Sequence, residues 1–147
     1  MTIRCEIVSQ DRTVFAGDVD IVVLPGAAGE MGILPKHAPV LTTLKYGVIK
    51  VRMGGKEELF VVAGGVAEVQ PDIVTVLADR GSENILEIDV VRAEAAKKRA
   101  EEYLSKSVPA DTDRYLIMEA ALRRANLRLD VVRRYRKSGM RIPPSDN

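Results

Sequence analysis

The stretch from residue 65 to residue 104, GVAEVQPDIVTVLADRGSENILEIDVVRAEAAKKRAEEYL, decides the fold because its hydrophobic period changes along the way. Up to residue 79 it alternates apolar and polar residues around Pro71-Asp72, which predicts two short strands joined by a turn. From residue 88 onward Ala, Glu, Lys and Arg predominate, and this pattern predicts one helix over residues 88–105. The chain is therefore expected to divide into a β half, residues 1–84, and a helical half, residues 85–147.

The β half consists of short apolar runs separated by Gly and Pro turn signals. Residues 2–8 alternate apolar and polar side chains, and the apolar run in residues 18–26 ends on Pro-Gly. Residues 47–65 contain two strand patterns, and each is followed by a Gly-Gly pair. We interpret the glycine-rich segment GAAGEMG, residues 26–32, as a turn, because it matches neither glycine pattern that binds phosphate before a helix. Short strands with turns at nearly regular spacing predict an antiparallel β-sandwich or a flattened barrel, and we expect the sandwich.

The helical half is predicted to be a hairpin. Pro109 interrupts the first helix, and Asp111 or Thr112 can cap a second helix that runs to about Lys137. A short connection between two helices predicts an antiparallel pair. The expected class is thus α+β, a β-sandwich followed by a two-helix hairpin. Residues 138–147 are expected to form a frayed terminus.

Several kinds of protein are disfavoured by the residue counts. Cys5 is the single cysteine, which excludes a disulfide framework and fits a reducing compartment. No apolar run resembles a secretory signal or approaches the ~20 residues of a membrane span. His37 is the single histidine, so neither a catalytic triad nor a histidine-rich metal site is expected. We therefore predict no catalytic residues, no bound metal and no enzyme activity.

Charge is distributed unevenly between the two halves. Residues 1–84 hold 8 basic and 11 acidic side chains, a net charge of −3, whereas residues 85–147 hold 14 and 10, a net charge of +4. The second helix alone carries eight basic side chains, over residues 114–137, against Glu119 and Asp130. This basic end predicts an acidic partner, which could be a protein, a nucleotide or a nucleic acid.

Four arginines are predicted to converge near the seam of the hairpin. On a helical wheel, Arg92 and Arg99 share a face with Asp89 and with the alanines of the first helix. Arg124 and Arg128, one turn apart, flank the apolar stripe of the second helix. A cluster of cations is unfavourable unless an anion joins it, and that anion could be Asp89, a polyphosphate or a partner's carboxylates. Asp89 is most simply explained as the N-cap of the first helix.

The second helix carries a further apolar strip, formed by Leu116, Ala120, Leu127 and Val131. A two-helix hairpin can bury only one stripe, so this strip either packs on the β half or contacts a second partner. A basic helix could also serve a nucleic-acid-binding adaptor. We disfavour that function because aromatic stacking residues are scarce and the β half is acidic.

With these features in place, the chain resembles the epsilon subunit of bacterial-type rotary ATP synthases. The most specific segments are GEMGILPKHAPVLTTLKYGVIKV (29–51) and VVAGGVAEVQPDIVTVLAD (61–79), followed by two Ala/Arg-rich helices. The resemblance implies a non-catalytic central-stalk subunit that couples the rotor to the catalytic hexamer. Its implied partners are the gamma subunit and the c-ring, and the alpha and beta subunits through the hairpin. The implied location is the cytoplasmic face of a bacterial plasma membrane.

The resemblance also implies a regulatory ATP site in the folded hairpin. The pattern Ile/Leu-Asp-x-x-Arg-Ala is matched here from Ile88 to Ala93. Ile117 departs from the pattern, because an ATP-binding member would carry a basic residue there. The implied site residues are Glu83, Ile88, Asp89, Arg92, Ala93, Arg99, Arg124 and Arg128.

Overall fold

The computed structural model describes residues 1–106 and 112–137. These residues belong to two compact units, a β unit from Met1 to Leu86 and a helical unit that begins at Glu87. None of the helices in the described part of the chain has a window that is long and apolar enough to cross a membrane.

The β unit is a sandwich built from one continuously hydrogen-bonded sheet in the order β2-β1-β7-β6-β5-β3-β4, with β8 paired to β6. Its strands are β1 Ile3–Val8, β2 Thr13–Val19, β3 Ile21–Gly26, β4 Gly29–Ile33, β5 Val40–Met53, β6 Lys56–Val69, β7 Ile73–Ala78 and β8 Glu83–Asn84. The alternation seen in the sequence places an aliphatic set of side chains inside, including Ile7, Val22, Ile49 and Val76. The predicted β-sandwich is confirmed.

The two long strands, β5 and β6, pass through both layers of the sandwich. The first part of β5 pairs with the last part of β6, from Val40↔Val69 to Leu44↔Gly65, and that part of β6 also pairs with β7. The remaining part of β5 pairs with the start of β6 and with β3. Gly64 and Gly65 lie at the bend of β6, with φ of +95° and +133°. Backbone of this kind is accessible to glycine and strained for other residues, so the two glycines allow one strand to serve both layers.

Three details of the β unit differ from the sequence-based expectations. The pair β1–β7 is parallel, whereas the other strand pairs of the described sheet are antiparallel. The segment 26–32 is a turn only at its start, because Gly29–Ile33 forms β4 and pairs with β3. Gly64-Gly65 is a bend inside β6 and not a turn between two strands. A Gly-Gly pair interrupts a regular strand both at a bend within one strand and at a turn between two strands, so the local sequence does not show which of the two occurs.

The helical unit contains α1 Val90–Lys106 and α2 Thr112–Lys137. The end of α1 contacts the start of α2, since the Arg114 guanidinium lies 5.4 Å from the centre of the Tyr103 ring. At the other end, Val90 of α1 and Val132 of α2 line one cleft. The two helices are therefore antiparallel, as predicted. Thr112 begins α2, and Asp111 lies outside the described residues.

Cys5 is fully buried in the sandwich, and this burial raises the pKa of its thiol from 9.0 to about 12. Above pH 9 the unfolded chain loses the thiol proton while the folded chain keeps it, so folding becomes less favourable as the pH rises towards 12. We expect the free energy of unfolding to fall more steeply with pH above 9 in the wild type than in Cys5→Ala. Urea denaturation of both proteins over this range measures the two slopes. Equal slopes would contradict the prediction.

Candidate functional site

Asp89 caps the N-terminus of α1. Its Oδ1 accepts a hydrogen bond from the backbone N–H of Arg92 at 3.1 Å, and its carbonyl accepts one from the N–H of Ala93 at 3.0 Å. A carboxylate at this position satisfies a helix N–H that lacks an intrahelical partner and interacts favourably with the helix dipole. The capping role expected for Asp89 is therefore present. Asp89 is exposed, and its second carboxylate oxygen is a further hydrogen-bond acceptor at the start of α1.

Ile88 and Ala93 are buried on either side of this cap. Ala93 and Ala100, seven residues apart, are the buried positions of α1. Seven residues are about two helical turns, so these alanines lie on one face. Small side chains on this face allow α2 to approach closely, and Ala125 is a buried position on α2. Ala93, the alanine of the pattern Ile/Leu-Asp-x-x-Arg-Ala, is thus one of the small residues that allow the two helices to pack closely.

One side of the helical seam carries a cleft of about 340 Å³. It is lined by Glu94, Lys97, Lys98 and Glu101 of α1 and by Leu129, Val132 and Arg133 of α2, together with Val90. The four charged residues of α1 also remain accessible to solvent, since Glu94, Lys98 and Glu101 are exposed and Lys97 is half-buried.

The four arginines of the predicted site are not among the residues that line that cleft. On α1, Arg92 precedes Glu94 by two residues and Arg99 follows Lys97 by two, so each is about 160° around the helix from that lining residue. On α2, Arg128 is about 140° from Arg133 but only about 40° from Val132, which also lines the cleft, so Arg128 lies near the edge of the cleft. Arg124 lies one turn before Arg128. We name the surface formed by Arg92, Arg99, Arg124 and Arg128 the arginine side.

Three of the four arginines lie at a similar level along the hairpin axis, whereas Arg99 lies about 10 Å nearer the connection between the helices than Arg92 does. Measured from the Tyr103–Arg114 contact, Arg92 lies 11 residues back along α1, whereas Arg124 and Arg128 lie 10 and 14 residues forward along α2. At about 1.5 Å per residue, Arg92 is level with the turn that bears Arg124 and Arg128. Arg92 and Arg99 are exposed, and Arg124 and Arg128 are half-buried. The antiparallel packing therefore brings these cations to one side, where an anion would relieve their mutual repulsion.

Tyr103 and Arg114 extend the arginine side towards the connection between the helices. Tyr103 follows Arg99 by one turn, and its ring lies under the Arg114 guanidinium at 5.4 Å. Arg114 was not among the residues predicted from the sequence for this side. The available signal was its spacing of 14 residues from Arg128, which is close to four turns and puts both on neighbouring azimuths of α2.

Glu83, the acidic residue of the predicted site, belongs to the β unit. It lies in β8, is half-buried, and is the strand partner of Val61. Its backbone position is thus set by pairing with β6.

Other candidate ligand groups give no metal site in the described residues. No three His, Cys, Asp or Glu side chains of residues 1–106 and 112–137 lie close enough to hold an ion. His37 is half-buried in the loop after β4, where its Nδ1 lies 2.7 Å from the carbonyl oxygen of Ala38.

Comparisons with known proteins match both units. Residues 2–83 match the family described as "ATP synthase, Delta/Epsilon chain, beta-sandwich domain", and residues 87–133 match its "long alpha-helix domain". An ATP synthase epsilon chain of Dehalococcoides mccartyi is 46% identical over 140 residues, which cover 92% of this chain and 95% of the relative. One from Bacillus licheniformis is 44% identical over 132 residues, or 90% and 98%.

A solved structure gives the same result for the fold. A chain in the Euglena gracilis mitochondrial ATP synthase, determined as its OSCP/F1/c-ring assembly, superposes with a TM-score of 0.73 at 25% identity. The match covers 89% of this chain and 81% of that one. Family matches over both units and relatives of nearly equal length lead to one conclusion: this chain belongs to the delta/epsilon family of ATP synthase chains, as a non-catalytic epsilon subunit of the central stalk.

Proposed function

We propose that this subunit couples the rotor of a proton-translocating ATP synthase to its catalytic hexamer and regulates ATP hydrolysis through its hairpin. In this proposal the β-sandwich contacts the gamma subunit and the c-ring, at the cytoplasmic face of a bacterial plasma membrane. The hairpin inhibits hydrolysis when it extends towards the alpha and beta subunits. Bound ATP stabilises the folded hairpin. The family match and the F1/c-ring assembly of the Euglena neighbour support the coupling role.

The observation that carries the regulatory part is the arginine side. Helical geometry places Arg92 and Arg99 on one face of α1 and Arg124 and Arg128 one turn apart on α2, so each helix contributes two guanidinium groups. A ligand that bridges them binds only while the helices remain antiparallel, because extension of the hairpin separates Arg92 and Arg99 from Arg124 and Arg128. Such a ligand shifts the equilibrium towards the folded hairpin by its differential affinity for that state.

The chemistry of the site fits an adenine nucleotide. Arginine forms charge-assisted, often bidentate hydrogen bonds with phosphate oxygens. Asp89 is an acceptor at the start of the same side, and its second oxygen can accept a hydrogen bond from the adenine amino group. The negative charge of a triphosphate complements the positive charge of these arginines. Ile88 and Ala93, buried beside Asp89, hold the cap in place.

A second function within the same subunit is an inhibitory hairpin that does not sense nucleotide. Ile117 favours it, because this side chain is 63% exposed in α2 and carries no charge towards a phosphate. Leu116 is also exposed, although Val131 in the same apolar strip is buried. In this alternative the arginines and the exposed start of α2 contact the catalytic subunits.

Calorimetric titration of the isolated chain with ATP, with ADP as control, tests the proposal. We expect saturable binding that is selective for ATP, in the micromolar to low-millimolar range. An absence of binding at several millimolar ATP would contradict nucleotide sensing and favour the alternative. The coupling role would be unaffected by that outcome.

A further inference from the structure

Two short segments of the β unit meet where the chain leaves the sandwich. One is the loop between β1 and β2, residues 9–12, and the other is the stretch that follows β7, residues 79–85, which we name the connector. Ser9 and Ser82, one in each segment, are the buried polar side chains of the described part of the chain, at 7% and 2% exposure. A buried hydroxyl group is costly unless it is hydrogen-bonded, so the bonds of these two serines show how the segments are held.

The loop between β1 and β2 is fixed by hydrogen bonds of its own. The Ser9 N–H donates to the carbonyl oxygen of Arg12 at 2.9 Å, and the Ser9 hydroxyl donates to Asp11 Oδ1 at 2.6 Å. The hydroxyl bond lowers the pKa of Asp11, because it favours the charged carboxylate, and the positive charges of Arg80 and Arg12 lower it further. The loop therefore holds Arg12 in a defined position, and its carboxylate attracts Arg80 of the connector.

The connector begins with a turn that the loop contacts directly. Gly81 has a φ of +87°, and the Ser82 hydroxyl closes the turn by donating to the carbonyl oxygen of Asp79 at 2.8 Å. The Arg12 guanidinium donates to the carbonyl oxygen of Ser82 at 3.3 Å, across 70 positions of sequence. After the turn, β8 pairs with β6, and the side chain of Ile85 is buried. The connector is thus fastened to the sandwich along its whole length.

This fastening limits how much chain can separate the sandwich from the hairpin. β7 ends at Ala78 and α1 begins at Val90, so residues 79–89 join the two units. An extended chain spans about 3.3 Å per residue, and this stretch could therefore reach about 36 Å if all of it were released. With the connector held through Ile85, residues 86–89 remain, and they span about 13 Å.

We propose that the loop between β1 and β2 is a clamp on the connector, with Arg12 as its positioning residue, and that the clamp puts the hinge of the hairpin at residues 86–89. The hairpin then moves on a short tether while the connector stays on the sandwich. The clamp is a property of the chain by itself and needs no bound nucleotide. In the proposed function it limits how far the hairpin can extend from the β-sandwich.

Hydrogen exchange of the full chain, followed by mass spectrometry, tests the clamp. In Arg12→Ala, peptides that cover residues 79–85 are expected to exchange about three- to tenfold faster, because one hydrogen bond that holds them is lost. Peptides from β5 should exchange at the rate of the wild type. Arg52→Ala is the matched control, since it removes another exposed arginine of the same unit, whose Nη2 donates to Glu57 Oε2 at 3.2 Å. It should leave residues 79–85 unchanged.

A second variant approaches the clamp from the connector. Ser82→Ala removes the hydrogen bond to Asp79 and is expected to speed exchange in the same peptides. If Ser82→Ala speeds exchange there and Arg12→Ala does not, the turn holds the connector unaided and the clamp is wrong. If Arg12→Ala speeds exchange equally in β5, Arg12 supports the whole sandwich, and the clamp is wrong as well. Both outcomes leave the proposed function untouched, because neither measurement involves ATP.

Discussion

Gly65→Ala is expected to unfold the β-sandwich. A Cβ atom at this position would lie 2.3 Å from the carbonyl oxygen of Leu77 and 3.0 Å from the Cα of Ala78. Both atoms belong to the backbone of β7, which is paired to β6 at this point, so neither can move aside without breaking the sheet. The substitution also requires a non-glycine residue at φ of +133°. We expect a loss of more than about 4 kcal/mol, a large part of the stability of an ordinary domain.

Gly54→Ala is the matched control. Gly54 lies in the turn between β5 and β6, also at positive φ, +57°, but a Cβ there would meet no atom within 4 Å. The cost should be confined to backbone strain, about 1 to 2 kcal/mol. Urea denaturation, together with the soluble fraction after expression, compares the two variants. A denaturation midpoint of Gly65→Ala equal to that of Gly54→Ala would contradict the close approach of β6 to β7.

The β-sandwich could be predicted because its information is local. The alternation of apolar and polar residues in segments such as 2–8 shows which side chains of a strand face the core, even when the neighbouring strands are not known. The parallel pairing of β1 with β7 could not be predicted in this way, since Arg4 and Ile73 are distant in sequence and parallel and antiparallel partners share the same alternation. The bend at Gly64-Gly65 was missed because its cause is the close approach of β7, a tertiary contact.

The helical site followed from periodicity to a similar degree. A period of 3.6 residues was sufficient to predict that Arg92 and Arg99 share one face of the first helix and that Arg124 and Arg128 lie one turn apart on the second. The short connection between the two helices predicted that the helices are antiparallel. The cleft between α1 and α2 was not predicted, since a concavity depends on the volumes of neighbouring side chains. The contact between Tyr103 and Arg114 was also missed, because it depends on how far each helix extends before the connection.

Replacing one arginine on each helix, in the double variant Arg92→Ala/Arg124→Ala, is expected to weaken ATP binding about 100-fold. A charge-assisted hydrogen bond contributes about 1.5–3 kcal/mol where it is protected from water. Arg92 is exposed and Arg124 is half-buried, so we expect each hydrogen bond to contribute the lower end of this energy range. The loss of each arginine then lowers the ATP affinity about tenfold. Because the two residues are level along the hairpin, their loss also removes the bridge by which a ligand would hold the helices together. Calorimetry with ATP measures the affinity.

The control for this variant removes the same charge from the same two helices. Lys98→Ala/Arg123→Ala changes one cation on α1 and one on α2, both exposed and both away from the arginine side. If long-range attraction alone held ATP, the two double variants would weaken binding equally, and this loss would shrink with added salt. If the arginine side holds the phosphates, only Arg92→Ala/Arg124→Ala loses about 100-fold, since direct hydrogen bonds are lost there as well. Unchanged ATP affinity in that variant would contradict the site and leave Arg92 and Arg124 as partner-facing charges.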